Sequence, residues 1–207
     1  MKSGFPDRFF VTGTDTGVGK TVVCALLAAG LRHSYWKPVQ SGSVDGLDSD
    51  RVREIAGLEQ DQIVPERYVF SQPLSPHLAA QKDGAGIDLD LIQPPLSRGS
   101  LIIEGAGGIM VPLNEDFLMI DLVKKLGVPV LIVAWNRLGV INHTLLTVEA
   151  LKQAGIDILG VILNGAVNNE HKQAIERYGD VSVLAQLERL DNITAKKVKQ
   201  KFNELFL

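Results

Sequence analysis

The sequence predicts an α/β fold made of a single domain, with a mostly parallel sheet and helices on both of its faces. The chain of 207 residues is long enough to bury a sizeable core and short enough for one doubly wound sheet. Strand-like and helix-like segments alternate along it, which is typical of parallel sheets. Two strand-like segments, residues 100–104 and 128–134, are continuous apolar runs, as expected of strands covered on both faces.

The individual elements are predicted from apolar runs, helical periodicity and capping residues. The helix at 48–56 has a capping residue at its start, Asp48 or Ser49, and the last helix is amphipathic. Pro-rich stretches mark turns rather than linkers, so we predict one domain over residues 1–207. The predicted order is strand 8–12, helix 20–31, strand 34–39, helix 48–56, strand 100–104, strand 128–134, helix 142–154, strand 156–163 and helix 194–206.

Composition excludes several classes of function. Hydrophobic residues make up 45% of the chain and charged residues 22%, which is ordinary for a globular protein, and the net charge of −3 argues against a nucleic-acid or membrane-surface binder. We expect no membrane-spanning segment and no signal peptide, because no apolar run reaches about 18 residues. Cys24, the one cysteine, suits a reducing compartment and is expected to be a buried packing residue. The expected location is the cytoplasm.

The segment with the most chemical information is GTDTGVGKT, residues 13–21, between the first strand and the first helix. A Gly-rich turn here presents backbone N–H groups and a helix N-terminus to an anion, Lys20 adds a point charge, and the Thr21 hydroxyl can ligate Mg²⁺. The spacing differs by one residue from the usual phosphate-binding loop, because Thr14 occupies the place of the first glycine. The segment predicts a bound nucleoside triphosphate with Mg²⁺.

Lys37 ends the short second strand in WKPVQSG, residues 36–42, and Pro38 then interrupts strand pairing. An isolated Lys-Pro is more often a surface lysine than a functional one. Beside a phosphate-binding loop, however, a lysine at the carboxyl end of a neighbouring strand can reach a γ-phosphate, so we interpret Lys37 as functional. Ser41 adds a hydroxyl donor, with a plain turn residue as the alternative interpretation.

Two acidic residues are candidate metal ligands. Asp50 stands at a helix start, where a carboxylate is usually only a cap or a partner of the helix dipole. Glu104 ends a buried strand in EGAGG, residues 104–108, where its oxygens suit Mg²⁺ and the glycines let the backbone approach a ligand. The combination predicts a metal and nucleotide site at the carboxyl ends of the strands.

Two later segments carry weaker signals. The turn before the helix at 142–154 leaves unpaired amides near Val140, Ile141 and Asn142, which could receive an anion, although taken alone a plain capped helix start is the favoured interpretation. Asn164 follows the apolar segment GVIL and is an ordinary turn residue unless a nucleotide base lies beside it.

Together these segments resemble the dethiobiotin synthetase family. The resemblance is carried, in order over roughly residues 9–165, by GTDTGVGKT, WKPVQSG, LDSD, SPH, EGAGG, VPL, LGVINH and the Asn of VILN. The phosphate-binding loop with one extra residue is itself characteristic of that family. The resemblance implies a homodimer of α/β subunits that builds the ureido ring of dethiobiotin from 7,8-diaminononanoate, CO₂ or bicarbonate, and ATP, with Mg²⁺.

The resemblance also implies a role for each matching residue. Lys37 and Lys20 would be the catalytic lysines, Ser41 would contact the substrate carbamate, and Thr21, Asp50 and Glu104 would hold the metal. The amides of Val140, Ile141 and Asn142 of the partner subunit would receive the tail carboxylate of the diamine. Nucleotide contacts would come from Gly17, Val18, Gly19, Lys20, Thr21, Val22, Asp50, Glu104, Gly105, Ala106, Gly107, Asn164, which would hydrogen-bond the adenine, and Gly165.

The chain departs from the family near its end, and other functions stay open. Where many members carry a Gly-Glu-Ile-Pro-like segment, this chain reads AQLE at residues 185–188, which leaves the base contacts of residues 188–190 and the preference for ATP undecided. A switch ATPase of the ParA/MinD type is the first alternative, but it would need a lysine where this chain has Asp15. An amidotransferase-type synthetase domain would need a glutaminase portion with its Cys nucleophile, which this chain lacks. A binding module without catalysis would leave Lys37, Asp50 and Glu104 as unrelated surface residues.

Overall fold

The computed structural model describes residues 4–95, 99–191 and 193–207. The predicted domain, residues 1–207, thus includes residues 1–3, 96–98 and 192, which lie outside the described part of the chain. The strands are β1 Arg8–Gly13, β2 Ser34–Trp36, β3 Val39–Ser41, β4 Ile63–Val64, β5 Tyr68–Phe70, β6 Leu101–Gly108, β7 Val130–Trp135, β8 Ile158–Asn164 and β9 Val183–Leu187. The helices are α1 Lys20–Leu31, α2 Asp48–Ala56, α3 Pro76–Lys82, α4 Met119–Leu126, α5 Val140–Gln153, α6 Asn169–Gly179 and α7 Ala195–Phe206.

Within the described residues, the main sheet has seven strands in the order β4-β2-β6-β1-β7-β8-β9, and each pairing in it is parallel. β3 and β5 form a separate parallel pair. Because the strands are parallel, their carboxyl ends meet at one edge, and β1, β2 and β6 are neighbours there. The predicted α/β fold with a mostly parallel sheet is confirmed.

Helices cover both faces of the sheet. On one face, called here the α1 face, α1, α2 and α7 pack over Phe9, Val11 and Tyr35. On the other, the α5 face, α3 to α6 pack over alternate residues such as Phe10 and Ile132. Successive strand residues point to opposite faces, so each apolar run of the sequence supplies both cores.

The second strand differs from its prediction. Residues 34–39 form two strands rather than one, β2 in the main sheet and β3 in the small one, with Lys37 and Pro38 between them. Pro38 has no N–H to donate to a ladder, and its carbonyl accepts from the amides of Arg67 and Tyr68 at 2.9 and 3.0 Å instead. This change of sheet places Lys37 at the carboxyl edge, next to the loop after β1.

The loop after β1 is shaped by glycines. Gly17 and Gly19 have φ values of 74° and 95°, in the left-handed region, and Gly19 caps the start of α1. Lys20 and Thr21 therefore occupy the first turn of α1, with the N-terminal amides of the helix facing the carboxyl edge of the sheet.

None of the helices formed by residues 4–95, 99–191 and 193–207 combines the length and the apolarity that a membrane crossing requires.

Candidate active site

The phosphate-binding loop joins β1 to α1 and folds back on itself. Nζ of Lys20 donates to the carbonyl of Asp15 at 3.1 Å, and the amide of Thr16 donates to the Asp15 carboxylate at 2.7 Å. Lys20 is buried, and its side chain faces the cavity at the edge of the sheet. The loop thus places a cation and the start of a helix side by side, an arrangement that attracts phosphate.

Asn164 at the end of β8 packs against this loop. Its Nδ2 donates to the carbonyl of Val18 at 2.9 Å, so its Oδ1 is left to accept from a ligand. A Cβ at Gly19 would lie 2.1 Å from Nδ2 of Asn164, which explains why a glycine stands there. Asn164 therefore lies beside the phosphate-binding loop, and its contact with adenine stays a prediction.

An acidic pair faces the first turn of α1. Thr21 Oγ1 lies 3.1 Å from Oε1 of Glu104 and 3.3 Å from Oδ1 of Asp48, so the hydroxyl can donate to either carboxylate. Nζ of Lys37 donates to Glu104 Oε1 at 3.2 Å and also forms an ion pair with Asp48. Two carboxylates, a hydroxyl and an ammonium group thus meet at the carboxyl edge of the sheet.

Lys37 and Asp48 each stabilise the charged form of the other. Burial alone would lower the pKa of Lys37, but Glu104 and Asp48 outweigh it, and the pKa of Lys37 is raised. Burial would likewise raise the pKa of Asp48, but Lys37 outweighs it, and the pKa of Asp48 is lowered. The pKa of Lys20 is lowered, chiefly by burial, against the opposing effect of Glu104. At neutral pH, Lys37 is a cation and Asp48 an anion.

Two further groups contact Glu104 from the interior of the protein. Tyr35 donates its hydroxyl to Oε2 of Glu104 at 2.9 Å, and the buried thiol of Cys24 lies within the influence of the Glu104 charge. Burial, together with the Glu104 charge, raises the pKa of both Tyr35 and Cys24 well above the ordinary values, so both remain protonated donors. The expectation that Cys24 is a buried packing residue is confirmed, since its side chain is free and fully buried.

A cavity of about 690 Å³ opens over these groups. Its walls include Lys20, Thr21, Lys37 and Glu104, which are four of the predicted site residues. Ser41 also lines it, and the buried Ser41 hydroxyl oxygen has no hydrogen-bond partner in the described part of the chain. A buried polar atom without a partner costs free energy, so its place in the wall of a cavity favours a bound polar ligand.

Asp50 does not contact the cluster, so the structure does not bring this predicted metal ligand together with Glu104 and Thr21. Its side chain is 65% exposed and faces Arg53 at 4.0 Å, whereas Asp48 is 19% exposed and contacts Thr21 and Lys37. The two residues are two positions apart on α2, which places their side chains on opposite sides of the helix. Of the two carboxylates, Asp48 is the one that contacts Thr21 and Lys37, and the carboxylate that holds a metal stays a prediction.

Residues predicted around the nucleotide fall into two groups. Gly17, Gly19, Val22, Ala106 and Gly107 line the cavity. Three other predicted neighbours do not line the cavity and have contacts within the protein: Val18 is buried in the α1 face, Gly105 lies against the ring of Phe10, where a Cβ would come within 2.7 Å, and Gly165 donates its amide to the carbonyl of Leu187 at 2.8 Å. Their contacts with a nucleotide stay predictions.

The predicted anion site at the start of α5 is only partly free. The Val140 amide is used in a turn and donates to the carbonyl of Arg137 at 3.0 Å, which corrects its assignment as an anion donor. For the amides of Ile141 and Asn142 the described residues provide no backbone acceptor. Val140, Ile141 and Asn142 do not line the cavity of their own chain. The contribution predicted for them is to the site of a partner subunit.

The donor set fits Mg²⁺ held jointly with a nucleotide. Mg²⁺ in nucleotide sites commonly takes one or two carboxylates from the protein and the rest of its ligands from phosphates and water. Asp48, Glu104 and the Thr21 hydroxyl supply such hard oxygens. Nowhere in residues 4–95, 99–191 and 193–207 is there a group of three His, Cys, Asp or Glu side chains that could enclose a metal without a nucleotide.

Sequence reasoning missed three residues of this site: Asp48, Tyr35 and Gln40. Gln40 accepts from the amide of Asp48 at 3.2 Å and thereby fixes the start of α2. The DSD segment signalled an acidic helix start without showing which carboxylate faces inward. Tyr35 lay within an apolar strand and gave no signal of its own.

The fold and the loop together define a nucleotide-binding protein of the P-loop class. A family model described as an AAA domain matches residues 7–197. Among solved structures, a ParA family ATPase from Chlorobium tepidum superposes with a TM-score of 0.57 at 15% identity and covers 96% of this chain and 91% of its own. The MinC:MinD complex from Aquifex aeolicus gives a TM-score of 0.54 at 14% identity, covering 94% of this chain and 86% of its own. At these identities, the likeness shows the fold.

Curated sequences narrow this class to one family. ATP-dependent dethiobiotin synthetase BioD of Paramagnetospirillum magneticum is 48% identical over 91% of this chain and 91% of its own length. The protein of the same name from Rhodopseudomonas palustris strain BisB18 is 48% identical over 96% and 95%, and that from Lawsonia intracellularis is 42% identical over 97% and 99%. The chain belongs to the dethiobiotin synthetase family, as its motifs predicted.

Proposed function

We propose that this protein is an ATP-dependent dethiobiotin synthetase, a cyclo-ligase that converts 7,8-diaminononanoate, CO₂ and ATP into dethiobiotin, ADP and phosphate. The observation that carries the proposal is the cavity in which Lys20 and Lys37 face a hydroxyl and two carboxylates. The chain that forms this cavity is 48% identical to a protein named for this activity over nearly its whole length.

The reaction needs neutralised charge and alignment rather than a protein nucleophile. One amine of the diamine takes up CO₂ as a carbamate, and a carbamate oxygen attacks the γ-phosphorus of ATP while ADP leaves. The second amine then attacks the carbonyl of the resulting carbamic–phosphoric anhydride, closes a five-membered ring and expels phosphate. Both reactants of the phosphoryl transfer are anions, so proximity and cationic groups supply most of the rate enhancement.

The two lysines have separate roles in this proposal. Lys20, in the first turn of α1, binds the phosphates of ATP. Lys37, which approaches from the end of β2, stays protonated because the pKa is raised, and it reduces the repulsion between carbamate and γ-phosphate. Losing one such preorganised charge costs about 3 kcal/mol of transition-state stabilisation, or roughly a hundredfold in rate.

Thr21, Asp48 and Glu104 would hold the Mg²⁺ ion, which neutralises phosphate charge when bound. Ser41 Oγ, which lines the cavity, would donate to the substrate carbamate. Asn164 Oδ1 would accept from the exocyclic amine of adenine, because Nδ2 is occupied by Val18. The preference for ATP over GTP or CTP stays a prediction. A competition assay with the three nucleotides at equal concentration measures it.

A homodimer belongs to this proposal. Leu138, Leu146 and Met110 expose 96%, 62% and 58% of their surface around the start of α5, an unusual set of apolar side chains for open solvent. Met110 and Leu146 line a groove of about 410 Å³ that reaches the phosphate-binding loop. A second subunit seated there would bring the amides of Ile141 and Asn142 toward the substrate carboxylate. The cytoplasm stays our predicted location, since the free thiol of Cys24 suits a reducing compartment.

Substrate-dependent phosphate release tests the proposed function. With ATP and Mg²⁺ present, we expect phosphate release only when both 7,8-diaminononanoate and bicarbonate are added, with dethiobiotin detected by mass spectrometry. The variant Lys37→Ala should lose roughly a hundredfold in turnover while its affinity for ATP changes little, because Lys20 and the loop still bind the phosphates.

The same assay separates the competing functions. Phosphate release that is indifferent to the diamine would favour a switch ATPase, the alternative that the ParA and MinD structures make worth testing on fold alone. Nucleotide binding without any phosphate release would favour a binding module. Near-normal turnover of Lys37→Ala would contradict the role given to this lysine.

A further inference from the structure

The two oxygens of Glu104 have different environments. Oε1 faces the cavity side, where it accepts from Thr21 and Lys37 at 3.1 and 3.2 Å. Oε2 faces the interior and accepts from the hydroxyl of Tyr35 at 2.9 Å. Glu104 and Tyr35 are both buried almost completely, so water does not replace either partner.

The sheet register explains how Tyr35 reaches this carboxylate. Tyr35 on β2 lies opposite Ile102 on β6, and Glu104 follows Ile102 by two positions on the same face. The phenol ring therefore runs along the α1 face toward the carboxyl edge and ends at Glu104. Its ring packs in the apolar core of that face, which leaves the hydroxyl one fixed position.

Loss of the hydrogen bond from Tyr35 would allow the Glu104 carboxylate to rotate. Removing the donor from a buried acceptor costs about 1–3 kcal/mol, more when the acceptor is charged. Among the described residues, Tyr35 is the donor to Oε2 of Glu104, so without it the carboxylate would gain by rotating toward Lys37. Such a rotation would change the direction in which Oε1 points.

We propose that Tyr35 is a positioning residue, which anchors the inner oxygen of Glu104 and thereby holds the outer oxygen in place for the Mg²⁺–nucleotide complex. This inference rests on the proposed function only in taking Glu104 as a group that binds the metal. Partners that orient a ligating side chain typically change metal affinity by about 10- to 100-fold when they are removed.

The test compares nucleotide affinity with and without the metal. The variant Tyr35→Phe keeps the ring and removes one oxygen, and the dissociation constant of a non-hydrolysable ATP analogue is measured by calorimetry in EDTA and in excess Mg²⁺. We expect the affinity in EDTA to change less than about twofold and the affinity in Mg²⁺ to fall about tenfold. A residue that only packs would alter both affinities equally.

Tyr68→Phe is the matched control. The Tyr68 hydroxyl donates to the carbonyl of Asp88 at 3.3 Å and accepts from the amide of Asp88 at 3.0 Å. Like Tyr35→Phe, this variant therefore removes a tyrosine oxygen that is hydrogen-bonded. Thermal unfolding checks that the two variants stay folded. We expect Tyr68→Phe to keep the full gain in affinity from Mg²⁺.

A second comparison isolates the contact with Glu104. In a Glu104→Gln background, adding Tyr35→Phe should change the affinity in Mg²⁺ less than about twofold, because the carboxylate to be positioned is already gone. An equal loss in both backgrounds, or a Tyr35→Phe variant that responds to Mg²⁺ like the wild type, would overturn the inference.

Failure of the inference can be told apart from failure of the proposed function. A wild-type protein that binds the analogue in a Mg²⁺- and Tyr35-dependent way but makes no dethiobiotin would refute the ligase and support Tyr35. Dethiobiotin synthesis together with a gain in affinity from Mg²⁺ that Tyr35→Phe does not change would support the ligase and refute the role of Tyr35.

Discussion

Lys37, Asp48 and Glu104 illustrate at the residue scale how a site can hold buried charge. Each carboxylate lies beside the ammonium group of Lys37, and each also contacts a hydroxyl, so the cost of burial is offset locally. A nucleotide and a metal ion bring charges of both signs to the same place. The cluster therefore has a partner for each carboxylate before ligands bind and has groups of both signs that can interact with the ligands.

Asp48 and Asp50 show what helical geometry decides. Consecutive helical residues are rotated by about 100°, so positions two apart differ by roughly 200° and cannot share a face. The structure turns Asp48 toward Thr21 and leaves Asp50 in solvent. Gln40 accepts a hydrogen bond from the backbone amide of Asp48 and thereby helps to fix the orientation of the first turn of α2.

The first prediction follows from that geometry. Asp48→Asn should weaken the apparent affinity for Mg²⁺ in the presence of ATP about tenfold or more, equivalent to about 1.4 kcal/mol, because a charged oxygen is removed from the metal side. Asp50→Asn makes the same chemical change two positions away and should leave the affinity within about twofold. Titrating the ATPase or ligase rate with Mg²⁺ measures both. A loss for Asp50→Asn that matches Asp48→Asn would restore the original assignment.

At the scale of elements, the sequence was a good guide wherever apolar runs were long. Residues 8–12, 100–104, 128–134 and 156–163 all lie on or overlap strands of the main sheet, and α1 and α2 begin and end as predicted. Short or polar elements were not predicted. β4 has two residues, and α6 buries only Ile175 and Gly179, so neither leaves a readable hydrophobic pattern.

Part of the site was predictable for a topological reason. Parallel strands have their carboxyl ends at one edge of the sheet, and the sequence predicted Lys37, Glu104 and Asn164 at strand ends near the loop after β1. In the structure Lys37 directly follows β2, Asn164 ends β8, and Glu104 lies within β6, which continues to Gly108. Strand ends do not reveal how helices rotate or where backbone amides are already used. The exposure of Asp50 and the turn hydrogen bond of the Val140 amide were not predicted for those two reasons.

The junction between the phosphate-binding loop and β8 gives a prediction at this scale. In Gly19→Ala, a Cβ would lie 2.1 Å from Asn164 Nδ2, so Asn164 would have to leave the carbonyl of Val18. The lost hydrogen bond, about 1 kcal/mol, adds to about 1–2 kcal/mol for a left-handed alanine. We expect the free energy of unfolding, measured by denaturant without nucleotide, to fall by about 2–3 kcal/mol.

Gly17→Ala provides the control for that junction. Gly17 is also left-handed, at φ 74°, but a Cβ there would meet nothing within 4 Å, so only the conformational cost of about 1–2 kcal/mol applies. Combining Gly19→Ala with Asn164→Ala should cost less than the sum of the two single changes, because they disturb one contact. Full additivity would show that Asn164 does not restrain the loop.

At the scale of the whole molecule, the two faces of the sheet differ in what surrounds them. α7 completes the cover of the α1 face by packing against α1 and α2. On the α5 face, the start of α5 leaves Leu138 and Leu146 exposed beside Met110. This asymmetry agrees with a homodimer that uses only one side of each subunit.

Leu138→Asp tests the homodimer, because Leu138 is 96% exposed in the single chain and a charge there costs the subunit little by itself. We expect light scattering to show a dimer for the wild type and a shift toward monomer for the variant. Affinity for ATP should persist, since one chain supplies Lys20 and Lys37, whereas the KM for 7,8-diaminononanoate should rise about tenfold or more as the partner's amides are lost.

Leu207→Asp places the same charge at an exposed position on the opposite face, at the end of α7, and should leave the dimer and the KM unchanged. The pair of variants separates loss of an interface from a general effect of added charge. A Leu138→Asp protein that stays dimeric would remove this surface from the interface. A wild type that is monomeric and fully active would refute the homodimer, and the diamine carboxylate would then need a binding site within one chain.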